Sequence, residues 1–452
     1  MKKVLLKIFL VCMLCLGLAY TRGRYVTNEK DAARVWASGL IEQDQLYAKA
    51  AVLMDGESGR ILLGKNEDVQ LPMASTTKIM TCILVLEHAD VNETVKVSSY
   101  AAGMPAVKLN MRKGESYKVS DLLYSLMLES HNDTAVVLAE HVGAGLLGSG
   151  EIAEAPEERA AEESKLAMAA FANLMNEKAK ELGCNNTWYI TPNGLDATQQ
   201  WEENGETVTK THSTTAYELA RVMKYCTWES DRKTEFLEIT GRGNYSFTAN
   251  GRSFCLSNHN QFLNMMDGAV SGKTGFTGNA GYCYVGALEK GERKLIVALL
   301  ACGWPNNKNY KWSDTRKLME YGLGNFTYLR TDDDVFMYEG DELSEVYIKN
   351  GVSDDWSYGT YVTPERKEGL TPEYEGILIK PEESIRVETD LIGELEAPVR
   401  QGKKVGEIRY FLGEELIKTE SVVINQDIDC IDYKWCLTRI TELFCGMNSN
   451  LN

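Results

Sequence analysis

Nine prolines in 452 residues, and no sustained low-complexity tract, exclude a fibrous or collagen-like chain. Basic residues are outnumbered: 48 Lys+Arg face 65 Asp+Glu, for a formal charge of −17. That balance excludes nucleic acid as the main partner, because a phosphate backbone needs a basic face. Long hydrophobic runs are scarce. The single one lies at the N-terminus, so a polytopic membrane protein is also excluded. Only five histidines occur, and they form no triad or metal spacing. What is present is 44% hydrophobic residues, enough for a real core. The length predicts two or three domains of about 100–200 residues each.

The N-terminal run reads as an export signal over residues 1–19. Lys2, Lys3 and Lys7 supply a positive start, and residues 8–19 are unbroken apolar or small side chains. A spanning helix needs about 20 apolar residues, so an uncleaved anchor is the weaker alternative. Cleavage near Ala19 leaves nine cysteines: Cys82, Cys184, Cys226, Cys255, Cys283, Cys302, Cys430, Cys436 and Cys445. Nine is odd, and no Cys-x-x-Cys pair occurs among them. Neither a disulfide framework nor a zinc site is indicated, and no metal is expected.

Residues 25–40 read as a connecting segment. Residues 48–55 and 61–63, separated by Gly56-Glu-Ser-Gly59, read as a hairpin. Residues 76–86 are apolar and free of Gly and Pro, which predicts a buried helix. Residues 120–127 and 133–141 predict two short helices broken at Ser130-His-Asn132. Residues 144–165 hold six glutamates (Glu151, Glu154, Glu157, Glu158, Glu162 and Glu163) and read as a solvated acidic insertion. Helices are predicted over 166–182 and 214–225, a hairpin over 281–287 and 294–301 led into by 270–274, and a closing helix over 315–323. A first domain over 25–330 whose sheet joins strands far apart in sequence is α+β. Thr331-Asp-Asp-Asp334 marks a boundary. Residues 335–428 alternate in short segments with Gly and Pro turns, which predicts a small all-β domain. In 431–447, Tyr433, Leu437, Ile440, Leu443, Phe444 and Met447 share one helical face, as in a helix lying on a membrane surface; packing on its own domain is the bland alternative.

Three short motifs carry chemistry. Ser75-Thr-Thr-Lys78 opens the buried helix, Ser130-His-Asn132 lies in a helix break, and Lys273-Thr-Gly275 sits on the strand before the last hairpin. A serine hydroxyl is a poor nucleophile until something takes its proton. Residues three apart on a helix share a face, so Lys78 can reach Ser75. A free lysine, with a pKa of about 10.4, is no base at neutral pH. Burial and a nearby cation, Lys273, both depress it; bringing it to about 7 costs roughly 4–5 kcal/mol. Ser130 can relay a proton from Lys78 to a leaving amine. The Asn132 amide can hold Lys78 and a substrate carbonyl together. Lys273 and Thr274 can bind a carboxylate. Gly272 and Gly275 let a substrate backbone approach the strand edge. The backbone N–H groups of Ser75 and Phe276 are the natural oxyanion hole.

With these motifs in this order, the sequence resembles the low-molecular-mass penicillin-binding proteins that act as serine-type D-alanyl-D-alanine carboxypeptidases. Leu71-Pro-Met-Ala-Ser-Thr-Thr-Lys-Ile-Met-Thr81 is similar to the family's nucleophile segment. Asn193-Gly-Leu-Asp196 with His212-Ser-Thr-Thr-Ala216 is similar to its middle region, and Ala397-Pro-Val-Arg-Gln-Gly-Lys-Lys-Val-Gly406 to its β-rich C-terminal domain. The resemblance implies a penicillin-binding, serine β-lactamase-like transpeptidase domain, an antiparallel sheet flanked by helices, then a small all-β domain and a C-terminal amphipathic helix. It implies removal of the terminal D-Ala from peptidoglycan pentapeptide stems through an acyl-enzyme on Ser75, inhibition by β-lactams, and no cofactor. It also implies an exported protein held peripherally on the outer leaflet of the cytoplasmic membrane. A basic residue before the closing helix, here Lys311, joins Lys273, Thr274 and Gly275 in substrate binding; arginine is usual there.

Three features depart from the family. His131 replaces a small residue and is expected to point away from the site. The polar stretch between Asp196 and His212 is long, and the Glu-rich insertion is unusual. The other four histidines are expected to be structural. Two alternatives stand beside the main reading. One is a serine β-lactamase, for which no convincing glutamate motif is found. The other is a non-catalytic wall-binding scaffold of the same fold, against which the complete residue set argues.

Overall fold

The computed structural model describes residues 43–331 and 343–447, apart from 151, 155–156, 204, 354–357 and 368–373. The export signal, the connecting segment 25–40 and the boundary aspartates 332–334 lie outside the described residues. The chain forms two units. The first holds described residues up to 53, 62–288 and 295–325; the second holds 54–61, 289–294 and those from 326 onward.

A five-stranded sheet organises the first unit. Its strands are β1 (Ala50–Asp55), β2 (Ile61–Lys65), β3 (Ala269–Thr277), β4 (Gly281–Lys290) and β5 (Arg293–Leu300), in the order β2-β1-β5-β4-β3. As the sequence predicts, the opening hairpin pairs with strands more than 200 positions later. All six residues of β1 are buried, as are Leu295 to Leu300 of β5. β3 forms the edge and runs antiparallel to β4, with Thr274 opposite Tyr284 and Phe276 opposite Tyr282.

Helix α1 (Lys78–His88) follows a short 3-10 turn, Ala74–Thr77. Its first nine residues are all buried, as expected for a helix apolar on every side. Helices α2 (Val119–Leu128) and α3 (Asn132–Leu146) meet at the predicted break.

The acidic insertion differs from expectation in its second half. Helix α4 runs Glu157–Glu181 and so begins nine residues before the predicted start. Ala160, Ser164, Ala167, Phe171 and Met175 form a buried stripe at helical spacing. Alanine and serine hardly register in a hydrophobicity pattern, so the glutamates of the outer face masked the stripe. A Cβ on Gly143 of α3 would lie 2.0 Å from the Ala167 carbonyl oxygen, so glycine is what lets α3 and α4 approach this closely.

Two hairpins carry no sequence forecast. Thr198–Glu203 pairs with Glu206–Thr211, and Asn244–Ala249 with Arg252–Ser257. The first is solvent-exposed along almost its whole length, so no apolar alternation marks it.

The second unit is β-rich. One sheet places Val346–Lys349 between Gly359–Val362 and Glu394–Glu396. Another runs Glu365–Lys367, Glu415–Val423, Lys404–Leu412, Ile385–Leu391. Ile348, Ile377, Val405, Ile408, Tyr410, Val422 and Ile424 make its core. The chain continues into helix Tyr433–Met447, on which Tyr433, Leu437, Ile440, Leu443 and Phe444 are exposed. Among the described residues no helix is long and apolar enough to cross a membrane.

Candidate active site

Ser75 sits in the 3-10 turn and Lys78 is the first residue of α1, so one turn of helix brings them together. Lys78 Nζ lies 2.8 Å from Ser75 Oγ. The lysine is fully buried. Burial is the main cause that drives its pKa well below the usual lysine value, and the nearby Lys273 charge adds to it, against an opposing pull from Asp133.

Two carbonyl oxygens complete the amine's surroundings: Asn132 Oδ1 at 3.0 Å and the Asn193 backbone oxygen at 2.6 Å. Both can only accept. A neutral amine has two N–H bonds and one lone pair. In the neutral form, with both hydrogens on these oxygens, the lone pair faces the Ser75 hydroxyl, whose single hydrogen also has the Asn193 oxygen within reach at 3.2 Å. The Asn132 orientation is fixed by its other end. Its Nδ2 donates to the Pro105 and Ala106 oxygens at 3.3 and 3.2 Å, and its backbone N–H donates to Val107 O at 2.8 Å. Asp133, fully buried, accepts from Leu109 N–H, Met111 N–H and Thr134 N–H and so anchors the same loop against α3.

Ser130 occupies the break between α2 and α3 with φ 68°, a left-handed conformation rare outside glycine. Its Oγ is buried and, among the described residues, has no hydrogen-bond partner, so the expected link to Lys78 is not formed as a direct bond. His131 points away from Ser75, as expected: its Nδ1 pairs with Ser125 Oγ at 2.8 Å and its Nε2 lies 3.4 Å from Glu129.

β3 lines the turn. A Cβ on Gly275 would come within 2.9 Å of Ser75 N and 3.0 Å of Thr76 N, so the strand backbone lies directly on the Ser75 turn. Lys273 is 2% exposed, donates to Thr274 O at 3.0 Å, and burial lowers its pKa to about 7. Phe276 is exposed and packs its ring against Tyr282 with centroids 4.6 Å apart. Lys311 lies on the closing helix Tyr310–Asn325, which starts earlier than the predicted 315, and not in the loop before it. Its Nζ donates to Lys308 O at 2.6 Å and lies over the rings of Tyr282 and Trp312, so its charge is held by a carbonyl and two aromatic faces.

Asn193 is a member that motif reasoning missed. Its carbonyl serves here, and a backbone atom carries no residue-type signal; the segment Asn193-Gly-Leu-Asp196 stood out only by its similarity to the family's middle region. Gly194 has φ 82°, and a Cβ on it would lie 2.0 Å from Ala74 O. Further along the same loop, Thr277 Oγ1 donates to Asp196 Oδ1 at 3.0 Å, tying the loop to the end of β3.

The D-alanyl-D-alanine carboxypeptidase family profile, Peptidase S11, matches residues 38–148 and 161–302, and the penicillin-binding protein 5 C-terminal domain matches 380–429. The chain is 25% identical over 387 residues to D-alanyl-D-alanine carboxypeptidase DacF of Bacillus subtilis, covering 84% of this chain and 86% of that one. It is 26% identical to DacC of Escherichia coli, covering 87% of each. Among solved structures, penicillin binding protein 5 of Haemophilus influenzae superposes with a TM-score of 0.60 at 22% identity, over 86% of this chain and 100% of that one. DacD of Francisella tularensis gives 0.60 at 21% identity, over 91% and 98%. Matched over more than half its length by the family profile, the chain belongs to the Peptidase S11 family and is a serine-type D-alanyl-D-alanine carboxypeptidase with a β-rich C-terminal domain of the penicillin-binding protein 5 kind.

Proposed function

We propose that Ser75 is the nucleophile and Lys78, uncharged, its general base, in removal of the terminal D-Ala from peptidoglycan pentapeptide stems. The observation that carries this reading is the Lys78 amine: fully buried, 2.8 Å from the hydroxyl, with two acceptor-only carbonyls taking its hydrogens. Ser75 Oγ attacks the carbonyl of the last peptide bond as its proton moves to Lys78. The backbone N–H groups of Ser75 and Phe276 receive the oxyanion. Losing one such donor costs roughly 3–4 kcal/mol. Collapse expels D-Ala, whose amine takes a proton through Ser130, and water then releases the acyl group from Ser75. Lys273, Thr274 and Lys311, whose amine lies over the Tyr282 ring, bind the terminal carboxylate, and Gly275 lets the substrate backbone reach the strand. A β-lactam traps the same serine.

Mass spectrometry of purified pentapeptide after incubation tests the reading. Loss of one alanine with the native chain and none with Ser75→Ala is expected. Equal loss with both would overturn it.

We also infer that the protein works outside the cytoplasmic membrane, with helix Tyr433–Met447 lying in the headgroup region. Tyr433 is 81% and Phe444 72% exposed, and with Leu437, Ile440 and Leu443 they form one apolar face. The native chain should sediment with phospholipid vesicles, and Leu437→Asp with Phe444→Asp should leave it in the supernatant. A native chain that stays in the supernatant contradicts the membrane role.

A further inference from the structure

Lys78 reaches Ser75 with its lone pair only if both carbonyls stay in place. The Asn132 carbonyl is held by α3 and the loop beneath it. The Asn193 carbonyl belongs to a loop, and what fixes that loop is a buried histidine that the chemistry above does not use.

His212 is 3% exposed. Its Nδ1 accepts the Ile190 N–H at 2.9 Å and the Thr191 N–H at 3.4 Å. A ring nitrogen that accepts carries no proton, so the neutral ring bears its hydrogen on Nε2. That nitrogen lies 2.8 Å from Thr77 Oγ1, and Thr77 Oγ1 donates to Ala74 O, also at 2.8 Å. The two ends of this chain are the residues that matter. Ile190 and Thr191 lead through Pro192 into Asn193, whose carbonyl accepts from Lys78 at 2.6 Å and lies 3.2 Å from Ser75 Oγ. Ala74 immediately precedes Ser75 and holds φ 49°, which a non-glycine residue keeps only when its surroundings enforce it. Burial pushes the imidazole down to about 3, so the donor and acceptor ends stay as they are over the neutral range.

We propose that His212 is a positioning residue of the acylation step: by tying the Ile190–Thr191 backbone to the nucleophile turn through Thr77, it places the Asn193 carbonyl and so turns the Lys78 lone pair toward the Ser75 hydroxyl. The inference rests on the assignment of Lys78 as base. With the carbonyl displaced, the amine keeps one fixed acceptor and can turn an N–H toward Ser75 Oγ. The serine then accepts instead of donating and is not activated. The charges facing Lys78 are Lys273 on β3 and Asp133 on α3. His131, before α3, and His212 itself both sense the Lys78 charge and are held low by burial.

The test is the rate constant of acylation by a fluorescent penicillin at saturation, counted per labelled site and followed from pH 5 to 9. His212→Phe fills the space without donor or acceptor. It should lower the plateau of that profile about 10- to 100-fold, the scale of a displaced catalytic contact, with non-covalent affinity for the penicillin unchanged. His212→Asn keeps the acceptor where Nδ1 lies but not the donor to Thr77, and should recover part of the loss. A histidine needed only for stability would reduce the number of labelled sites and leave the rate per site at the native value. That result, or an Asn variant no faster than Phe, overturns the proposal. Should His212→Phe fail to fold, Thr77→Val cuts the other end of the chain and Thr77→Ser restores it, with the same expectations. Lys78→Ala run in parallel keeps the two readings apart: native-rate acylation there removes the base assignment, whatever His212 does.

Discussion

Gly275 lies so close to Ser75 that a Cβ on the glycine would stand 2.9 Å from the serine's backbone nitrogen. β3 and the turn that carries Ser75 therefore share a surface with no room for a methyl group. Gly275→Ala should force β3 off the turn, since Thr76 N and the Ala74 Cβ also lie within 3.1 Å of the added carbon. A displacement on the order of 1 Å costs about 100-fold in rate. Penicillin acylation should fall by that order while far-ultraviolet circular dichroism stays native. An Ala variant acylating at the native rate would show that the proposed oxyanion donors do not depend on this contact.

Lys78→Ala should abolish acylation while leaving the fold intact. A positioned base contributes about 100- to 10,000-fold, so residual labelling should lie in that range or below detection. Truncation removes the amine's desolvation cost but leaves the Asn132 and Asn193 oxygens without this donor and opens a cavity, so thermal stability should change little. Normal labelling would mean that another group activates Ser75.

The pH dependence should differ between substrates. Burial lowers Lys273 to about 7 in the folded protein, so its ammonium is present below that pH and lost above it. KM for a peptide ending in a free carboxylate should therefore climb above pH 7, and KM for the amidated peptide should not. A bound carboxylate stabilises the ammonium and moves the same limb upward in kcat. The linkage to stability has the opposite sense. From about 7 to the ordinary lysine value the unfolded chain binds more protons at this residue, so stability gains from this group as pH rises through that window. Parallel KM profiles for the two peptides would remove Lys273 from carboxylate recognition.

Thr215 caps the helix Ala216–Lys224: its side chain accepts the Glu218 N–H at 3.1 Å. Thr215→Ala should cost about 1 kcal/mol, measurable by chemical denaturation as a lower midpoint at unchanged slope. Catalysis per folded molecule should be unaffected, which separates this change from the site variants.

The motif spacings pointed to Ser75, Lys78, Asn132 and Gly275, which the structure brings together as a candidate site. Ser75 and Lys78 stand three apart on a helix, and the Ser130-His-Asn132 segment falls where an apolar pattern breaks. Lys273-Thr-Gly275 falls on a strand whose partner is the next run of apolar residues. The helix start at Glu157 was not legible, because alanines and a serine make its buried stripe. Nor was the hairpin Thr198–Thr211, whose two faces are both wet.

By itself the sequence determined the α+β order of elements, the β-rich second unit and the side chains available for chemistry, because periodicity and residue type are local properties. Only the tertiary structure decided which atoms surround the Lys78 amine. The Asn193 carbonyl reaches Lys78 from 115 positions away, and His212 reaches Thr77 from 135. A peptide oxygen is the same in every residue, so its placement beside an amine can come only from how the chain folds back on itself.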